Sequence, residues 1–162
     1  MEFPRRRRIL QTLSLEVVSE RLRPVVTDPA IGGLAHHGKY DLTVLGRAGL
    51  RVTNVTFDTM IAAYLLNEKS VGLKDLAFSK LGIEMTEINE LIGSGRSQIT
   101  MDAVDVALAS DYACADVEST FALRDLFAPE LEARGLGSLM RDIEMPLVPV
   151  LSSMEQTGVA ID

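Results

Sequence analysis

The chain has no tryptophan, one cysteine, five phenylalanines and three tyrosines among its 162 residues, and no surplus of positive charge. A lone Cys114 excludes an internal disulfide and a cysteine-built zinc site, which suits a reducing compartment and predicts a small buried filler. No apolar run is long enough to span a bilayer, and no apolar segment follows the charges at the N-terminus. The sequence therefore predicts a soluble, cytoplasmic protein that does not engage a membrane. Sixteen Lys and Arg against 23 Asp and Glu leave a formal charge of −7. That balance argues against a wide grip on duplex DNA, which requires clustered cations to neutralise phosphates. It leaves a nuclease open, because a site that holds divalent metals through carboxylates is itself acidic.

What is present is a hydrophobic fraction of 47%, ample for one domain with a real core. Residues 1–8, MEFPRRRR, differ from the rest and read as a solvated, disordered basic tail; Arg5 to Arg8 touching phosphates or lipid head groups is the less favoured alternative. Leu13, Val17, Leu22 and Val26 recur at roughly helical spacing, as one amphipathic helix or two broken near Pro24. Thr27-Asp28-Pro29 supplies a turn, and Leu34-Ala35-His36, bounded by glycines, a short buried strand. A helix follows to Gly49, and Leu50 to Val55 reads as a second strand, so strand, helix and strand form a candidate parallel crossover. Asp58 is placed as the cap of a helix that Asn67 ends. The remainder is mainly helical: Gly72 to Leu81 closed by Gly82, a turn or two at Thr86 to Leu91, Met101 to Ser110 and Asp111 to Phe127 with a bend between them, and a last helix from about Leu136 to Gln156 kinked by Pro146 and Pro149. Val159 to Ile161 begin a strand, and the scattered methionines fill the core.

Two patterns carry chemistry. In His36-His37-Gly38-Lys39-Tyr40-Asp41 a strand end turns into a helix and leaves Asp41 at the sheet's carboxyl edge, where ligands of open α/β sheets bind. In Tyr112-Ala113-Cys114-Ala115-Asp116 the phenol and the carboxylate sit four apart and share one helix face. Each alone has a bland alternative: an Asp at a helix start is usually a cap, and a Tyr–Asp pair a surface contact. Asp58 is read as a cap ahead of a metal ligand, and Gly93-Ser94-Gly95-Arg96 as a plain loop ahead of a phosphate cradle.

Taken together, these segments resemble a known family. HHGKYD, FDTM with its Asp58 seventeen residues past Asp41, AAYLLN, GLKDLA, the IGSGRSQ loop and YACADVEST are similar to the second and third motifs of the 3'-5' exonuclease (proofreading) domain of bacterial family A DNA polymerases, the DNA polymerase I type. IEMPLVPVLSSMEQTGVAID, residues 143–162, looks like the passage by which those enzymes enter their polymerase domain, and it disfavours a ribonuclease D-like RNA-trimming relative. The resemblance implies an α/β, ribonuclease H-like 3'-5' exonuclease fold, here truncated to a predominantly helical chain with a small parallel sheet remnant. It divides the chain into the tail, an exonuclease-like domain over 9–142 and a lead-in over 143–162.

The implied reaction is a two-metal hydrolysis of the terminal phosphodiester of a single-stranded DNA 3' end, in replication and repair. Asp41 and Asp116 would be metal ligands for Mg2+, or Mn2+ or Zn2+, Tyr112 would position the attacking water, and Tyr40 and His37 would lie against the frayed strand. The implied partners are that strand and the polymerase domain of a parent protein.

Three departures qualify this. The family's first acidic motif, an Asp-x-Glu on an opening strand, is not found ahead of Asp41, so the isolated chain is expected to be weak or inactive, with a non-catalytic module bracing a polymerase as the alternative. His37 stands where Asn is more usual, and is read as a polar strand-end residue with His36 pointing the other way. With few strands, either an uncovered sheet edge recruits another chain, self-association included, or the chain is largely helical.

Overall fold

The computed structural model describes residues 13–158 and 160; Arg5 to Arg8 lie outside them, as do Val159 and Ile161 of the expected terminal strand. Helix α1 (Leu15–Val26) starts at Ser14, whose hydroxyl accepts from the Val17 amide at 3.3 Å, and it runs through Pro24 unbroken. Its apolar residues Leu15, Val17, Leu22 and Val25 are exposed, and only Ser19 is buried. What holds α1 is its C-terminal end. The Asn54 side-chain amide donates to the carbonyls of Val25 (2.8 Å), Asp28 (3.2 Å) and Ile31 (2.8 Å), and the Thr53 amide donates to Val26 O.

Strands β1 (Gly33–Ala35) and β2 (Val55–Asp58) pair in parallel, Leu34 opposite Phe57 and Ala35 opposite Asp58, with α2 (Gly38–Arg47) between them in the chain. The second strand thus lies later than the expected Leu50–Val55. The reason is non-local: Thr53 and Asn54 spend their donors on the end of α1, so pairing is delayed to Val55. Helix α3 (Thr59–Leu65) is followed by Asn67 in the left-handed region (φ +59), and α4 (Leu73–Leu76) runs into a π-helical turn (Ala77–Leu81) closed by Gly82 (φ +70). After α5 (Ile88–Ile92) and two short 3-10 turns comes α6 (Val106–Ala133), 28 residues without the bend expected at Ser110–Asp111. Ala107, Ala109, Ala113 and Ala115 have the strongest helix propensity of any residue and carry α6 through that point.

The last helical segment comprises α7 (Gly137–Leu139), a π-helical turn (Met140–Glu144) and α8 (Met145–Thr157). The π turn falls just before Pro146, which has no N–H to offer.

The core gathers Ala62, Ala63 and Leu66 of α3 and its end, Leu76, then Leu123, Phe127 and Leu131 of α6, with Met140, Met145 and Val148. Phe127 is fully buried, worth about 1.5–3 kcal/mol for such a side chain. Two expectations fail here. Cys114 is exposed, because the buried positions of α6 begin only at Ser119 and its first turns stand clear of the core. Met101 and Met154 are also exposed, whereas Met140 and Met145 do fill the core. Helix α8 lies along α2, joined by Thr43 Oγ1 to Ser152 Oγ at 3.0 Å and Lys39 to Glu155 at 2.6 Å. No helix among the described residues is long and apolar enough to cross a membrane.

Candidate active site

Everything at the site starts from Asp58, the last residue of β2 and the N-cap of α3. Its carboxylate, 1% exposed, accepts from the amides of Met60 (2.9 Å) and Ile61 (3.4 Å), and equally from Gly38 (2.6 Å) and His37 (3.2 Å). One buried anion thus holds the first amides of α3 and the entrance to α2, the orphan donors that every helix start leaves. The capping role expected for Asp58 is observed, and it extends to a second helix. Gly38 fits closely beside it: a Cβ there would sit 3.0 Å from Ala35 Cβ and 3.3 Å from Asp58 Oδ2, so either neighbour would have to yield by a few tenths of an ångström.

His37 does not end a strand. It is the N-cap residue of α2 in the left-handed conformation (φ +70, ψ 46), a region in which His, Asn and Asp are enriched, and this explains how it takes a place where Asn is more usual. Its ring stacks on Tyr40 with centroids 5.9 Å apart and planes at 25°. His36 packs inward, with Nδ1 2.8 Å from Thr59 Oγ1 and Nε2 shut from solvent. Burial holds its imidazole below the usual range, offset in part by the charge of Asp58.

Asp41 follows in the first turn of α2, where the helix dipole favours a carboxylate. Even so, its carboxyl is pushed up, first by burial and then by the charge of Asp58, with His37 acting in the opposite direction. Across the cleft, α6 presents Tyr112 and Asp116 on one face. Burial pushes Asp116 up as well, against the pull of Lys74. That lysine, on α4, sets its ammonium 5.1 Å from the Tyr112 ring centroid and donates to Thr86 O (2.6 Å) and Glu87 Oε2 (3.2 Å).

These groups line an open cavity of about 790 Å³ whose walls are the β1–α2 turn, the start of α4 and one face of α6. His37, Tyr40, Asp41, Tyr112 and Asp116, selected from the sequence in two distant segments, all line it. Sequence reading passed over Lys74 and the inward role of His36. Lys74 lies within the GLKDLA segment, but only the fold brings it to Tyr112.

Among the described residues, no group of three or more His, Cys, Asp or Glu side chains is placed to hold a metal. Asp41 and Asp116 face the cavity from different elements, α2 and α6.

Comparison with known proteins places the chain in a family. Residues 4–132 match the family model described as the 3'-5' exonuclease of DNA polymerase A. Over 150 residues, 91% of this chain and 16% of the relative, it is 42% identical to DNA polymerase I of Chloroflexus aurantiacus. It is 32% identical to DNA polymerase I of Pseudomonas aeruginosa over 94% of this chain and 17% of that protein, so it spans about a sixth of these relatives. Among solved structures, the POL domain of Pol1 from M. smegmatis, in complex with DNA primer-template and dNTP, superposes with a TM-score of 0.73 at 26% identity, covering 94% of this chain and 24% of that one. NrnC from Brucella melitensis gives 0.70 at 25% identity over 85% and 64%.

Proposed function

The chain belongs to the 3'-5' exonuclease family of family A DNA polymerases, and from that membership we propose that the cavity between α2 and α6 receives a single-stranded DNA 3' end and hydrolyses its last phosphodiester with a divalent metal. Its mostly helical architecture around a small parallel sheet is the ribonuclease H-like exonuclease fold. The observation that carries the proposal is the meeting of Asp41, Tyr112 and Asp116 on one cavity.

In this reading Asp41 and Asp116 hold Mg2+ or Mn2+, and their raised carboxyls are those of partly desolvated acids that a cation would stabilise in the charged form. The bound ion supplies an activated water and charge neutralisation at the phosphate. Tyr112 orients the water through its hydroxyl. The stacked His37 and Tyr40 rings offer a flat surface to the terminal base, a contact that tolerates any sequence. Asp58 keeps Asp41 and His37 in place without touching substrate.

Four carboxylates serve the reaction in the resemblance, and two of them have matching positions here, Asp41 and Asp116; Asp75 and Glu87 also line the cavity but are engaged by Ser70 and Lys74. Trimming by the chain is therefore weak, since losing even a supporting partner of a metal ligand costs ~10 to 100-fold. The absence of a third metal-binding group among the described residues favours a second reading, a non-catalytic module bracing a polymerase domain. A labelled single-stranded oligonucleotide incubated with rising Mn2+ or Mg2+ separates the two. Slow loss of 3'-terminal nucleotides that vanishes in Asp116→Ala supports the exonuclease. No trimming at stoichiometric protein leaves the bracing module. Within a parent polymerase, the same domain would serve DNA replication and repair.

A further inference from the structure

Tyr112 stands between two spaces. It lines the large cavity and also a second one of about 220 Å³ lined by Met85, Thr86, Leu108, Asp111, Ala115 and Asp116. A helical tyrosine with open volume behind it has room to leave the site, since χ1 and χ2 hold it only within rotamer wells. A contact that opposes this comes from Lys74. Its ammonium sits 5.1 Å from the ring centroid, and it is tethered in turn by Thr86 O and Glu87 Oε2, on the segment that forms the rim of the smaller cavity.

We propose that Lys74 is a positioning residue for Tyr112: its tethered ammonium pins the phenol on the α4–α6 wall of the large cavity and keeps the ring from falling into the space behind. A cation over a phenol face is attracted by the ring quadrupole, and the two anchoring acceptors fix where that cation can be. The lysine is thus the pivot of a three-part clamp joining α4, the 86–87 segment and α6. Its kinetic consequence rests on the exonuclease reading; its structural consequence does not.

The chain lacks tryptophan and has three tyrosines, so Tyr40→Phe with Tyr64→Phe leaves Tyr112 as the sole tyrosine, to be labelled with 13C at Cζ, an on-axis atom blind to ring flips. With Lys74 present, one narrow resonance is expected. Lys74→Met, which keeps an unbranched stem and removes the charge, splits or broadens it, and Lys74→Arg restores a single line. A single narrow line in Lys74→Met, with circular dichroism unchanged, overturns the proposal. In the otherwise unsubstituted chain, Lys74→Met lowers the kcat of metal-supported trimming by about 3- to 10-fold with KM little changed, and Lys74→Arg recovers it. A raised KM at constant kcat would instead make Lys74 a phosphate ligand and also overturn the proposal. If the unsubstituted chain trims nothing, the exonuclease reading fails while the carbon spectrum still decides the role of Lys74.

Discussion

Asp41 and Asp116 illustrate at the residue scale how a cleft lined by carboxylates weakens the fold that carries it. Both carboxyls are held above the ordinary 3.8, chiefly by burial. Between that value and their raised ones the folded chain binds more protons than the unfolded chain, so stability falls as pH rises through the window and the deficit is complete at neutral pH. His36 runs the other way. Its imidazole is held below the ordinary 6.5, so the stability it contributes is present above that pH and lost as pH falls through its folded value. Asp41→Asn and Asp116→Asn are expected to raise Tm by about 1–2 °C at pH 7, the gain vanishing by about pH 3.5. Comparison with the unsubstituted chain at each pH cancels the His36 contribution. Added Mn2+ should raise the Tm of the unsubstituted chain and leave Asp116→Asn unmoved. Calorimetry showing either variant less stable at pH 7 would mean that the carboxylates are held by contacts more favourable than water.

Single groups join whole elements, and Asp58 is the clearest case. Its carboxylate serves four amides, two at the start of α3 and two at the entrance to α2. Asp58→Ala is expected to cost about 3–4 kcal/mol in urea unfolding, since charged hydrogen bonds contribute more than neutral ones and the abandoned amides stay buried. Asp58→Asn, which can still accept but not at both oxygens, should cost less. Amide exchange would show the loss concentrated at His37, Gly38, Met60 and Ile61; a uniform loss would argue against a shared cap. Half of this device was legible in the sequence, because a cap is local chemistry: Asp before a helix, Asn67 and Gly82 after one. The other half was not, because the Gly38 amide reaches Asp58 only once β1 and β2 pair. The displaced second strand follows the same logic, its start being set by the distant carbonyls that Asn54 serves. The left-handed turn at His37 and the unbroken α6 likewise went unread. The alanines of α6 signalled a helix, but nothing local stated that it would continue through Ser110.

At the scale of the molecule, helical content and the parallel pair were readable, and the two motifs picked from the sequence line one cavity. What escaped was which surfaces stay bare, since burial belongs to the assembled chain. Cys114 and the apolar side of α1 are exposed because the core is built from the later half of α6, not its first turns. The same concentration leaves a sheet of only two strands, each with one paired side among the described residues. An unpaired edge is a template for another chain, but strands of three and four residues offer few amides, so pairing by this edge is weak. Opposing it is repulsion between copies that each carry −7. That repulsion is screened at high ionic strength, where the Debye length falls to about 3 Å at 1 M salt, whereas backbone pairing is not. Sedimentation velocity should therefore show a monomer at low salt and a reversible dimer at high protein concentration in about 0.5–1 M NaCl. A proline replacing Leu34, which removes a donor from β1, should reduce the dimer more than a proline in an exposed loop. Association that weakens as salt is added would place the contact on charged surfaces instead of the sheet edge.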